Sequence, residues 1–208
     1  MNIMACIAFV AAVLCGVLRF ATGKYMFSAF TTLLCGCAAA LSGGGGDRLL
    51  LAGGLFVSVV ADWFLAHQSG RESYFLRGVA GFFVAHCLFG WYAAVRYSFG
   101  YPQLIAAAVL LAAYSGYLAL RVMPGVPGLF RLPITAYMLV SILSLYLALS
   151  MNAPVFEKVL YAFGIASILF SDTMIAENEF VGVKTAAKLV LPTYYLCHWL
   201  IALSALIR

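Results

Sequence analysis

Eight apolar stretches follow one another with only short breaks between them, at residues 2–18, 25–42, 49–66, 74–95, 103–120, 132–150, 155–175 and 185–206. Each is close to the roughly 17 to 25 residues a helix needs to cross a hydrocarbon layer, and none alternates polar and apolar positions as a membrane β-strand must. Hydrocarbon offers no water to backbone amides and carbonyls, so a spanning segment must satisfy its own, as a helix does. The pattern therefore predicts an all-α fold, a polytopic membrane helical bundle of about eight transmembrane helices. Composition agrees: 65% of the 208 residues are hydrophobic, only 9% are charged, and mean hydropathy is +1.05. That leaves too little polar surface to coat a soluble globule. Breaks such as "SGGGGDR" and "RVMPGVPGLFR" are short and turn-like, so residues 1–208 read as a single transmembrane domain. The first stretch is kept as a span, because Met1 to Ala5 carry no Lys or Arg and no small-residue cleavage site precedes Lys24.

A net charge of +5 in a soluble protein would point to nucleic acid, but here the basic residues fall at the ends of the spans. They report topology, and no nucleic-acid partner is expected. One side carries Arg19, Lys24, Arg71, Arg77, Arg121, Arg131, Lys184 and Lys188; the other carries Arg48, Arg96, Lys158 and Arg208. The bias predicts both termini outside the cytoplasm, in a bacterial inner membrane. The six cysteines lie within apolar spans without zinc-ligand spacing and read as small buried hydrophobes. No cofactor and no metal are expected.

Against this background, "FVSVVADWFLA" stands out for its aspartate. Asp62 and Asp172 are the only carboxylates well inside the spans; the other five acids sit at span ends or beyond. A carboxylate at bilayer depth costs about 2.5 to 3.5 kcal/mol on insertion scales, so it faces the bundle interior and marks either function or a helix-joining hydrogen bond. His86 and His198 are intramembrane too, where one partner suffices to satisfy a buried imidazole. Asp62 precedes His67 by five residues and Asp172 precedes Glu177 by five, while Tyr137 and Tyr194 follow Arg131 and Lys188 by six. At a rise of about 1.5 Å per residue, all four lie roughly 7 to 9 Å inside the same interface, deep enough to share a pocket. His86 and His198 form its floor or pack below it.

Helical spacing assigns faces. Gly54, Ser58 and Asp62 recur at i+4, as do Tyr194 and His198, and Tyr137, Ser141 and Ser144 follow the i, i+4, i+7 stripe. Gly54 and Ser58 are small enough to serve close helix packing instead of chemistry. Pro192 removes a hydrogen bond to the Lys188 carbonyl and is expected to bend the last helix where Tyr194 enters. There is also an internal echo: "GLFVSVVADWFLA" and "GIASILFSDTMIA" share Gly eight before the Asp and Ala four after it, each with a His 24 or 26 residues beyond the Asp. Four spans separate the copies, which suits two four-helix halves in parallel duplication.

These blocks resemble the YhhN family of lysoplasmalogenase-like membrane proteins. The similarity runs from about Gly53 to the C-terminus through "SVVADWFLA", "FLRGVAGFFVAHCLFGWY", "LPITAYML", "ASILFSDTMIAENEF" and "LPTYYLCHWLIAL". The chain departs from the family pattern at Ala61, usually Gly, and at His198, usually Gln. The resemblance implies hydrolysis of the vinyl ether bond of lysoplasmalogens to a fatty aldehyde and glycerophosphoethanolamine or glycerophosphocholine, independent of metal. Carried over residue by residue, it implies Asp62 and Asp172 as catalytic groups, with His86, Tyr137 and Tyr194 in support; the polar seams add Ser58 and His198. A carboxylate pair suits such chemistry, one acid donating a proton and the other activating water. The implied partner is a lysophospholipid among membrane lipids, its tail between apolar helix faces and its headgroup near Lys24, Arg77, Arg131 and Lys188.

Two rival classes keep the same residues. A proton- or ion-coupled transporter would also hold two intramembrane Asp residues, a kinked helix and a parallel repeat. A metal-dependent membrane hydrolase is the weaker rival, because the histidines supply no HxxxH or HExxH pair.

Overall fold

The computed structural model describes residues 2–43 and 45–207. Eight α-helices make up the described chain: α1 (Ile3–Thr22), α2 (Tyr25–Leu41), α3 (Asp47–Ala66), α4 (Glu72–Ala94), α5 (Tyr101–Tyr117), α6 (Gly128–Leu149), α7 (Val155–Ala176) and α8 (Ala187–Leu206). α5 runs on through a π-helical turn, Leu118–Val122, and a 3₁₀ turn, Met123–Gly125; α7 runs on through a π-helical turn, Glu177–Val181. Seven of these helical segments are long and apolar enough to cross a membrane, and α2 is a shorter apolar helix of 17 residues. The chain is a multi-pass membrane protein.

Local chemistry sets the helix ends. Asn2 caps α1 by accepting from the Met4 amide at 3.0 Å. Gly23 closes it in the left-handed region at φ 70°, its N–H returning to the Arg19 carbonyl at 2.9 Å, a conformation that favours glycine. Several helices start earlier or end later than the hydrophobic runs suggest. α1 extends past residue 18, so Arg19 belongs to its last turn, and α6 starts before residue 132, so Arg131 lies inside it; Arg77 and Lys188 lie inside α4 and α8, as the stretches 74–95 and 185–206 expect. The reason is that a helix propagates through a charged residue whose long stem can reach the interface.

α8 is the central helix, packed against α7, α2, α1 and α3. α3 packs on α4 as α7 packs on α8, and α2 meets α8 as α6 meets α4. The expected halves, α1–α4 and α5–α8, match in these pairs but not in their first two helices, since α1 packs extensively on α2 and α5 only lightly on α6. Both halves use glycine for the close approach: a Cβ on Gly54 would meet the Phe89 ring of α4 at 2.3 Å, and one on Gly164 would meet Ile201 of α8 at 2.8 Å. α5 lies outside this arrangement, carries no buried residue and packs mainly on α6. Large side chains such as Ile3, Ile7, Val10, Leu14, Ile105, Val109 and Phe163 point outward, as lipid permits.

One sequence expectation needs correction here. Only Cys35 and Cys197 are buried, Cys87 is exposed, and Cys6, Cys15 and Cys37 are intermediate. An apolar span has an apolar outside as well as an apolar core, so hydrophobic context does not imply burial for a small thiol.

Candidate active site

Asp62 stands on α3 four residues before its end, and Asp172 stands on α7 at the corresponding place. Each is held by a tyrosine from another helix. The Tyr194 hydroxyl of α8 donates to Asp62 Oδ2 at 2.7 Å, and the Tyr137 hydroxyl of α6 donates to Asp172 Oδ2 in a short hydrogen bond. The bond from Tyr194 crosses between the halves. So does the approach of His86 on α4, whose Nε2 lies 3.7 Å from Asp172 Oδ2. Neither Asp pairs with a Lys or Arg among the described residues.

The two carboxylates line adjoining cavities. Asp62 opens into one of about 240 Å³, lined also by Arg19, Tyr25, Ser28 and Tyr194. Asp172 opens into a narrower one of about 60 Å³, lined by Tyr137 and by apolar side chains including Phe75, Val79, Ile134 and Phe180. Leu65, Phe82 and Ile175 line both cavities and so form the wall between them. The four groups matched by depth in the sequence thus face two adjoining cavities, one Asp–Tyr pair in each, and not the single pocket expected.

The histidines sit behind the tyrosines. Both rings are 0% exposed, and neither lines a cavity beside the carboxylates. His86 packs edge-on to Tyr137 with centroids 5.4 Å apart, and His198 packs edge-on to Tyr194 at 4.2 Å. His198 Nδ1 lies 2.7 Å from the Tyr194 carbonyl, which only accepts, so that nitrogen carries the proton and Nε2 is left as an acceptor. The two rings thus pack against the tyrosines that hold the carboxylates.

Ser58 is placed differently. Its hydroxyl donates to the Gly54 carbonyl one turn back at 2.9 Å, and it lines neither cavity. Around Pro192, Thr193 donates to the Leu189 carbonyl at 2.7 Å and Ser171 of α7 donates to the Val190 carbonyl at 3.1 Å. The proline turn is therefore pinned to α7 two residues before Tyr194. Lys24, Arg77, Arg131 and Lys188, offered by the sequence as headgroup neighbours, are exposed and line neither cavity. Arg19 and Tyr25 do line one, and sequence reasoning missed both in this role. The available signal was an arginine only three residues before the end of an apolar helix. Among the described residues, no three His, Cys, Asp or Glu side chains gather as a metal would require.

A bundle of membrane-length helices with two tyrosine-held carboxylates defines a class: a multi-pass membrane protein with a pair of helix-borne acids. The family is shown by comparison. The chain belongs to the YhhN family, whose model matches residues 23–205. It is 32% identical over 169 residues to lysoplasmalogenase TMEM86B of Rattus norvegicus, a match covering 80% of this chain and 66% of the rat protein. To lysoplasmalogenase TMEM86B of Sus scrofa it is 34% identical over 173 residues, covering 79% of this chain and 67% of the pig protein. The chain spans about two thirds of the length of these relatives. No solved structure matches it.

Proposed function

We propose that the chain is a lysoplasmalogenase-like hydrolase that cleaves the vinyl ether bond of a lysoplasmalogen by acid–base catalysis from Asp62 and Asp172. The observation that carries this reading is the pair of tyrosine-held carboxylates without a cationic partner, facing adjoining cavities. The named relatives support the substrate class.

The chemistry asks for three things. A protonated carboxyl delivers its proton to the β-carbon of the vinyl ether, using the double bond's electron pair, and leaves an oxocarbenium ion stabilised by the carboxylates. The ionised carboxylate takes a proton from water as the water oxygen bonds to the α-carbon, giving a hemiacetal. The hemiacetal then loses its hydroxyl proton, the bond to the glycerol oxygen breaks, and that oxygen takes a proton. The products are a fatty aldehyde and a glycerophospho-headgroup. The two tyrosine bonds position the acids.

The reaction needs no metal in this scheme. Turnover in heavy water should place one deuterium on C2 of the aldehyde, slow the rate, and be indifferent to a chelator. Aldehyde without C2 deuterium at short times, read by mass spectrometry, would exclude carbon protonation. Activity lost to chelator would restore the metal-dependent alternative. The Lys/Arg bias further supports both termini outside the cytoplasm of a bacterial inner membrane; a reporter active only in the cytoplasm, fused to Arg208, should stay silent. The matching α3–α4 and α7–α8 packing also favours a second reading, a proton- or ion-coupled transporter. Lysolipid moved by reconstituted protein without any aldehyde would select that one.

A further inference from the structure

Arg19 and Tyr25 stand on either side of the α1–α2 turn and line the same cavity as Asp62. Arg19 Nε and the Tyr25 hydroxyl are both buried, and neither finds an acceptor among the described residues. A buried donor left without an acceptor costs about 1 to 3 kcal/mol, more for a charged group. The Arg19 side chain is half-buried with its Nε enclosed, and its guanidinium lies beside Tyr195, whose own hydroxyl donates to Ser28 at 2.7 Å. Two unpaired donors, one of them on a fixed positive charge, thus meet in one cavity. That combination calls for an anion with several acceptor oxygens. Arginine and a phosphate match in charge and in fork geometry.

We propose that Arg19 and Tyr25 form a phosphate subsite for the headgroup of the lysophospholipid, a refinement that rests on the lysolipid reading above. Depth supports it. The Tyr25 ring packs edge-on to His67, which caps α3, at 5.6 Å, so this turn lies level with the end of α3. Asp62 is five residues deeper, about 7 Å along the helix. In a lysoplasmalogen the phosphorus lies five covalent bonds from the ether oxygen, roughly 6 Å when extended. A phosphate on Arg19 therefore leaves the vinyl ether at the level of Asp62, with the apolar chain directed past Leu65 and Phe82 toward the narrower, apolar cavity. Arg19 precedes residues 23–205, where the family model matches, whereas Tyr25 lies within them.

The test uses lipids that cannot be hydrolysed. Purified full-length protein is titrated with 1-O-alkyl-glycerophosphocholine and with 1-O-alkylglycerol, which lacks the phosphate, and binding is read by intrinsic fluorescence. The wild type should prefer the phosphorylated lipid by roughly ten-fold or more. Arg19→Gln should bring the two affinities together, Arg19→Lys should keep part of the gap, and Tyr25→Phe should narrow it. An unchanged gap in the variants that melt like wild type would overturn the subsite, and Tyr25→Phe keeps that outcome readable if Arg19→Gln misfolds. Inorganic phosphate should compete only weakly; competition as strong as the lipid's would make this a free-phosphate site and overturn the headgroup assignment. Aldehyde release from the vinyl ether lipid is measured in the same preparations. A missing aldehyde signal with the affinity gap intact sinks the hydrolase reading and leaves the subsite standing.

Discussion

α3 and α7 each carry two acids fifteen residues apart, Asp47 and Asp62 on one and Glu157 and Asp172 on the other, and the two ends of the bundle treat them differently. At one end, Arg96 sits between the acids: Nη1 reaches Glu157 Oε1 at 2.6 Å and Nη2 lies 3.7 Å from Asp47 Oδ2. Its guanidinium also lies over the Tyr92 ring at 4.1 Å, and the Tyr92 hydroxyl donates to Glu157 at 2.9 Å. Glu157 is only 1% exposed. At the other end the equivalent acids have tyrosines in place of a cation. A carboxylate fixed by a neighbouring guanidinium has its charge compensated and no use for a proton. Among the described residues, Asp62 and Asp172 have no guanidinium or ammonium beside them; tyrosine hydroxyls hold both, and His86 Nε2 stands 3.7 Å from Asp172. The comparison teaches that burial alone does not single out an acid for proton transfer; the pair proposed as catalytic differs from Glu157 in having no guanidinium beside it.

The largest expected effect would break the pair at the reactive end. Asp62→Asn and Asp172→Asn should each lower aldehyde release by about 10²- to 10⁴-fold, the range general acid–base groups contribute, because asparagine keeps the shape but cannot cycle a proton. Both variants should still elute as monodisperse folded protein. Either one turning over at near-wild-type rates would return that Asp to a structural role. Next comes the clamped end, where the readout is stability. Arg96→Met leaves the buried Glu157 charge uncompensated and should cost about 3 to 5 kcal/mol in unfolding measurements, Glu157→Gln should cost less because Arg96 keeps Asp47, and activity per folded molecule stays close to wild type in both. Replacing both with apolar residues should recover part of the loss. Activity falling in step with stability would mean that the two ends do not have separate tasks.

How much of this contrast could be read from sequence depends on whether a feature is local. Span positions follow from runs of apolar residues, and the shared depth of Asp62, Asp172, Tyr137 and Tyr194 follows from helical rise counted from nearby charges. Both are properties of neighbouring residues. Which tyrosine bonds which acid is set by pairings 35 and 132 residues apart. No periodicity encodes these. For the same reason Arg96 and Glu157, 61 residues apart, read as separate span-end charges and only the fold joins them. Arg19 reads as a charge just past the apolar run 2–18, because hydropathy falls there while the helix continues to Thr22. The π-helical turns that extend α5 and α7 bring Tyr117 and Arg121 onto Glu177, a cluster equally hidden from local pattern.

A smaller effect sharpens the role of the tyrosines. Tyr137→Phe and Tyr194→Phe remove one hydrogen bond to a carboxylate and keep the ring against His86 or His198. Hydrogen bonds to charged groups contribute about 1.5 to 3 kcal/mol, so turnover should fall by roughly ten- to a hundred-fold, less than for the Asp variants. The two need not respond equally. The tyrosine on the ionised carboxylate should matter more, so whichever variant loses more activity identifies the partner of the base.

The smallest expected effect concerns Ser58, which shares a helix face with Asp62. Its hydroxyl is buried and bonds the carbonyl of Gly54 within its own helix. That carbonyl is also the ordinary acceptor for the Ser58 amide, so Ser58→Ala leaves no buried acceptor unpaired. The cost should be under about 1 kcal/mol of stability, with aldehyde release within about two-fold of wild type. By contrast Gly54→Ala, which drives a Cβ into the Phe89 ring, should cost about 1 to 3 kcal/mol although it too touches no substrate. If Ser58→Ala instead lost activity on the scale of the tyrosine variants while melting normally, the polar seam of α3 would extend the site a full turn beyond Asp62, and the boundary between its packing half and its reactive half would have to move.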